Sequence, residues 1–221
     1  MKKLAILSTI ICIIISIILV GIIRADAKTI YNMVWVAEDV ETGDTIDVSN
    51  NTTFPQYHGV YANGANILDI THADNVTVIT GADAGDAVRT NPANTTSTAQ
   101  IRIGNDWTLI AHGDSADGVN LNGYSSLVAG DNLTIRIYGK QGTGQLYNDA
   151  FGLRTNHGAK MNIGSGLDIE TTYNRSYAIY LSGSNGGEIN IGQNSKINTN
   201  GETAHGAYFS GTGNSLTVDS G

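Results

Sequence analysis

In 221 residues the chain carries 12 Lys and Arg against 20 Asp and Glu, a net charge of −8, with 27 Gly and only 2 Pro. That surface has the wrong sign to neutralise phosphates, which excludes a nucleic-acid binder. Gly, Asn, Thr and Ser in place of helix-favouring Glu, Lys and Ala predict many short strands joined by tight bends, and Ile, Leu and Val recurring at fixed places exclude a disordered chain.

The amino end stands apart. Lys2 and Lys3 give a positive start, the stretch from Leu4 to Ile23 is nearly all apolar, and Ala25-Asp26-Ala27 places small residues at a cleavage-type site. Residues 1–27 therefore read as an export signal cut before Lys28. The run is also long enough for an uncleaved anchor spanning a bilayer. The sole cysteine, Cys12, lies inside it, so the exported part has no thiol for a disulfide or a nucleophile. Removing Lys2, Lys3, Arg24 and Asp26 with this segment leaves 9 basic and 19 acidic residues, a net of −10.

Residues 28–42 predict an N-terminal cap over the first open coil of a repeat stack, with Trp35 as a plug over the apolar interior. From Gly43 one short phrase recurs six times, clearest as Gly130-Asp131-Asn132-Leu133-Thr134-Ile135. Its copies start at 43, 73, 104, 130, 164 and 192, at steps of 30, 31, 26, 34 and 28. Each copy is a polar turn leading into an apolar–x–apolar triplet, the two-residue period of a half-buried strand. A second phrase holds Val60, Val88, Val119, Leu153, Ile179 and Ala207 at one position, all apolar, as an inward column requires. Two places on come Ala62, Thr90, Leu121, Thr155, Leu181 and Phe209. The next position holds Asn63, Asn91, Asn122, Asn156, Ser182 and Ser210, a candidate polar ladder at a bend. A third alternation, as in Ile101-Arg102-Ile103 and Met161-Asn162-Ile163, lies between the two phrases.

Three strands in a period of about 29 residues predict an all-β fold, a three-sided parallel β-helix over 43–221. Its six coils would form a rod of roughly 30 Å at about 4.8 Å per coil. Two Thr/Asn/Gly-rich insertions, Asn91 to Ala99 and Gly139 to Asp149, read as excursions from the bends. The last coil breaks off at Gly221 with an open edge, which predicts a stack that once continued or a piece of a longer chain.

Phrases such as HGVYANG, AGDNLTI and SLTVDSG, on acidic cysteine-free coils behind an export signal, resemble the passenger regions of bacterial autotransporters (type V secretion) in their adhesin style. The resemblance covers about residues 43–221. It implies a right-handed β-helix displayed at the cell surface, outer membrane or outside the cell, with a structural or adhesive role. It also implies a carboxyl-terminal membrane barrel or other translocator. No stretch of this sequence has the alternation over about ten residues with aromatic girdles that barrel strands need.

Chemistry is sparse. None of the five histidines forms a close metal pair, and His58 and His205 recur at one repeat position as turn residues. Asp114 and Asp117 flank a bend where calcium is a minor alternative. The competing function is a polysaccharide-active β-helix enzyme, which needs carboxylates on neighbouring coils. Corresponding positions of the first phrase hold Asp47, Thr77, Thr108, Thr134, Asp168 and Lys196, where Asp47 and Asp168 lie too far apart to cooperate. No catalytic cluster, metal or cofactor is expected. One outward column carries a binding hypothesis: Tyr61, Arg89, Asn120, Arg154, Tyr180 and Tyr208 form a stripe rich in hot-spot residue types, which could meet a host surface glycan or protein. The alternative is that these side chains only stack and shield the sheet.

Overall fold

A computed structural model describes residues 26–55, 57–92, 98–139, 149–172, 174–183 and 185–220. Residues 1–25, most of the expected export signal at 1–27, and most of the two insertions, at 93–97 and 140–148, lie outside the described residues.

The chain winds into about six stacked coils whose strands form three parallel sheets. Sheet A has seven strands: Thr29–Ile30, Thr45–Asp47, Thr77–Thr80, Thr108–Ala111, Thr134–Ile137, Asp168–Thr171 and Lys196–Thr199. Sheet B has six: Val60–Asn63, Val88–Asn91, Val119–Leu121, Phe151–Asn156, Tyr177–Gly183 and His205–Gly211. Sheet C has six: Ile67–Ile70, Gln100–Ile103, Ser126–Ala129, Lys160–Ile163, Glu188–Ile191 and Ser215–Val218. Among the described residues the only helix is a single 3₁₀ turn at Ala37–Asp39.

Like side chains pile upon like. Val60, Val88, Val119, Leu153, Ile179 and Ala207 pair in unbroken register along sheet B, and all but Ala207, in the last coil, are buried. Ile46, Val78, Leu109, Ile135 and Ile169 do the same in sheet A, as do Leu68, Ile101, Leu127, Met161 and Ile189 in sheet C. No coil encloses a core by itself, so burial arises between coils, as in other solenoids.

The recurring phrase is the bend from sheet C into sheet A, and each of its residues has a mechanical reason. The third residue takes the left-handed conformation in five coils: Asn75, Asp106, Asn132, Gly166 and Asn194, with φ of 56°, 58°, 60°, 77° and 59°. Asn, Asp and Gly are the residue types that tolerate it. The first residue passes against the preceding coil's backbone: a Cβ on Gly104 would lie 2.4 Å from the Ala73 carbonyl oxygen. The second residue's side chain accepts a hydrogen bond from the next coil's backbone. Asn105 N–H donates to Asp74 Oδ1 (2.7 Å), Asp131 N–H to Asn105 Oδ1 (2.9 Å), and Ser165 N–H to Asp131 Oδ1 (2.8 Å). These bonds satisfy amides that the strand ladders leave free at the corner.

Two expectations need correction. Trp35 does not plug the interior. The adjacent Val34 does, bridging to Val60 at 1% exposure, while Trp35 is 70% exposed. Along an extended segment neighbours face opposite ways, so only one of the two can enter. The buried tryptophan is Trp107, whose Nε1–H donates to the Ala73 carbonyl at 2.7 Å. Secondly, Thr45 pairs with Thr77, and Asp47 with Ile79. In the first coil Gly43, with φ of 88°, stands where Asn75 stands in the second, so the bend is two residues shorter and Asp47 moves out of the phrase's column.

Candidate binding face

The outer face of sheet B gathers most of the unusual side chains. The six residues of the expected stripe share one column: Tyr61 pairs with Arg89, Arg89 with Asn120, Asn120 with Arg154, Arg154 with Tyr180, and Tyr180 with Tyr208. They are not equally presented. Tyr61 and Asn120 are each 5% exposed, with Arg89 half-buried between them, whereas Tyr208 is 42% exposed. Phe54 and Tyr57 close over the first coil, meeting His58 edge-on with ring centroids at 5.8 and 4.5 Å.

A second column runs beside the first, three positions earlier: His58, Asp86, Asp117, Phe151, Tyr177 and His205. Simple alternation from Val60 would turn these residues inward. The small residue between them breaks the alternation, because it packs into the core itself: a Cβ on Gly59 would lie 2.2 Å from Val78 Cγ1, and one on Gly118 would lie 2.5 Å from Ile135 Cγ2. Recurrence of His58 and His205 at one repeat position was the available signal for this column.

Its first half is a buried polar relay. Asp86 N–H donates to His58 Nδ1 (3.1 Å), Asp117 N–H to Asp86 Oδ1 (2.9 Å), and Phe151 N–H to Asp117 Oδ1 (2.9 Å). Arg89 Nη1 donates to Asp86 Oδ2 at 2.7 Å, Asn120 Nδ2 to the same oxygen at 3.2 Å, and Arg154 Nη1 to Asp117 Oδ2 at 3.5 Å. Because His58 Nδ1 accepts, its proton sits on Nε2, which is buried without a partner. Desolvation, and secondarily the Arg89 charge, lowers the His58 pKa to about 3. The ring is therefore neutral, and its 3.8 Å approach to Asp86 Oδ2 is not an ion pair. Burial raises the pKa of Asp86, with Arg89 opposing. Burial and then the Asp86 charge push that of Asp117 well above the ordinary carboxylate value.

Asp86 and Asp117 are thus carboxylates on neighbouring coils, the arrangement that the sequence reading did not find. Both are almost wholly buried, and their oxygens are engaged by backbone, Asn and Arg. The turn reading holds for His58, which lies in a bend with its N–H donating to the Pro55 carbonyl at 3.0 Å although its ring is fully buried, but not for His205, which opens the strand His205–Gly211. Asp168, in sheet A, is held by Arg136 Nη2 at 2.7 Å. No group of three or more His, Cys, Asp or Glu among the described residues is arranged to hold a metal ion. In the minor calcium alternative, Asp117 is already engaged by the Phe151 N–H and by Arg154.

The second half of the face is an aromatic pile. Phe151 stacks on Tyr180 at 4.5 Å and 23°, Tyr177 on Tyr208 at 5.4 Å and 21°, and Tyr180 on Tyr208 at 5.7 Å and 2°. Arg154 closes one end, its Cζ 5.1 Å from the Phe151 ring centre and 5.9 Å from that of Tyr180. Along the other margin runs the expected amide ladder, where Asn156 Nδ2 donates to Asn122 Oδ1 at 3.1 Å and Ser182 Oγ bonds Asn156 Oδ1. Asn91 departs from it and donates to the Tyr61 hydroxyl at 3.2 Å. The face therefore offers ring edges and phenol hydroxyls beside fixed amides, a mixture suited to a partner that is both apolar and hydrogen-bonding.

No protein-family model matches this chain, and neither a curated protein nor a solved structure matches it.

Proposed function

We propose that this chain is an exported β-solenoid passenger of the autotransporter style, with a structural and adhesive role, and that it meets a host surface glycan or protein through sheet B. The observation that carries this reading is the partly exposed pile of Tyr177, Tyr180 and Tyr208, seated on the buried Phe151, beside the Asn156–Ser182 ladder. Stacked coils hold these groups rigidly, so little side-chain entropy remains to be lost on contact. The test is a Tyr180→Ser/Tyr208→Ser variant compared with the parent for attachment to host cells and immobilised glycans. Each anchor is worth about 1–2 kcal/mol, so attachment should fall at least roughly tenfold while the far-ultraviolet spectrum stays unchanged. Full attachment by a folded variant would remove the reading.

One observation favours a second reading, cleavage of a polysaccharide. Asp117, with its raised pKa, and Asp86 stand one coil apart, as an acid and its partner carboxylate do in glycosidases. A general acid must reach the proton's destination, and the burial of both carboxylates weighs against this. Release of reducing ends from a glycan, abolished in Asp117→Asn, would reverse the preference.

A further inference from the structure

The amino-terminal end of the rod is unlike its sides. Among the described residues, five of the twelve exposed large apolar side chains are on or beside the first coil: Tyr31, Trp35, Val36, Phe54 and Ile67. Trp35 stands between two clefts. One, of about 640 Å³, is lined by Ile30, Met33, Val34 and Pro55 with Lys28 and Asp39. The other, of about 190 Å³, lies against Tyr61, Asn63 and Ile67. Trp35 is also firmly placed, because Val34 N–H donates to the Gly59 carbonyl (2.8 Å) and Tyr61 N–H to the Val34 carbonyl (2.9 Å). Ile67–Ile70 and Thr29–Ile30 are the terminal strands of sheets C and A, so this patch is the end surface of the stack.

What covers it is indicated by the chain that leads into it. The twenty-residue run from Leu4 to Ile23 ends six residues before the first strand begins at Thr29. Twenty such residues are what a bilayer core requires of a crossing segment. Trp and Tyr directly flanking such a run are the side chains that settle at the membrane–water boundary, apolar body inward and polar tip outward. The neighbouring charges are Arg24 and Lys28 against Asp26, Glu38, Asp39 and Glu41, a net negative set, so attraction to anionic lipid does not drive the contact and insertion of apolar groups must carry it.

We infer that this end is a bilayer-interface surface. In a chain that keeps residues 4–23, Tyr31, Trp35, Phe54 and Ile67 seat in the headgroup region of the membrane which that run enters. The inference does not depend on sheet B.

The test uses the full chain carrying Trp107→Phe, so that Trp35 is the only indole, reconstituted into phosphatidylcholine vesicles whose acyl chains are brominated near the headgroup. Trp35 emission should shift to the blue, lose most of its intensity to bromine, and resist aqueous acrylamide. Adding phosphatidylserine should leave the quenching unchanged. Emission that ignores bromine and stays open to acrylamide would overturn the inference and leave the patch to a protein or glycan. Quenching that appears only with phosphatidylserine would overturn its apolar basis. If Trp107→Phe fails to fold, the parent serves: bromine should remove the red, acrylamide-accessible component of its two-tryptophan emission, and survival of that component counts against the surface.

Discussion

Trp107 is the sharpest probe of the stacked core, because the chain's two tryptophans have opposite assignments. Trp107 is fully buried and its Nε1–H caps the Ala73 carbonyl at 2.7 Å, whereas Trp35 is exposed. Trp107→Phe removes that donor and leaves a buried acceptor unmet, a cost of about 1–3 kcal/mol. The missing part of the indole leaves a cavity worth about 1 kcal/mol. Together these give a loss of about 2–4 kcal/mol, or roughly 5–15 °C in midpoint for a chain of this size. Thermal and urea unfolding followed by far-ultraviolet circular dichroism measure it. Trp35→Phe in solution should change stability by less than about 0.5 kcal/mol, and its remaining emission, from Trp107, should be blue and closed to acrylamide. A Trp107→Phe variant as stable as the parent, or a Trp107 quenched as readily as Trp35, would refute the packing described for this corner.

Other outcomes follow from the same contacts. Asp131→Ala should cost about 0.5–1.5 kcal/mol by leaving the Ser165 amide unbonded, while Asp131→Asn should recover most of it; paired urea titrations decide. Thr171 is buried in sheet A with an unpartnered hydroxyl, so Thr171→Val should raise stability by about 1 kcal/mol, read as a higher urea midpoint. His58 falls from 6.5 when unfolded to about 3 when folded. Its neutral burial therefore supplies stability that is full above about pH 6.5 and is lost as the pH falls towards 3, worth about 5 kcal/mol. His58→Asn should flatten that acid limb in midpoints measured between pH 6.5 and 4. Asp117 has the opposite sign: its raised pKa means stability present below the ordinary carboxylate value and lost as pH rises through the folded value. Asp117→Asn should accordingly gain on the parent between pH 4 and pH 8.

The coils were legible because their inward columns repeat a single physical requirement. Val60 to Ile179 must all be apolar, and no other arrangement of the chain makes that coincidence useful. Asp47 was misplaced for an equally physical reason: Gly43 resembles the first glycine of the phrase in letters but takes the left-handed role of the third residue, and letters do not record φ. The column of Asp86 and Asp117 was hidden by the inward turn of Gly59 and its counterparts, a bend that breaks the alternation on which the count relied. Its chemistry was hidden further, since a carboxylate buried beneath Arg89 and Arg154 reads in the sequence as one more Asp in a turn. Phe54 and Tyr57 likewise carry no mark of lying over His58.

Two corners of the coil use one device for different ends. Where Asp74, Asn105 and Asp131 accept the next coil's amide, the bond is exposed and serves only to hold the bend. Where Asp86 and Asp117 do the same on sheet B, the carboxylates are buried and need Arg89 and Arg154 to offset the charge. Those arginines must then lie across the outer face, and Arg154 becomes the platform on which Phe151 and Tyr180 stack. The aromatic pile is therefore coupled to the relay beneath it. At a pH where the parent's Asp117 is ionised, removing that charge should loosen Arg154 and with it the rings that carry the proposed adhesion, so Asp117→Asn, though it gains stability on the parent as the pH rises, should attach more weakly there in the assay used for Tyr180 and Tyr208.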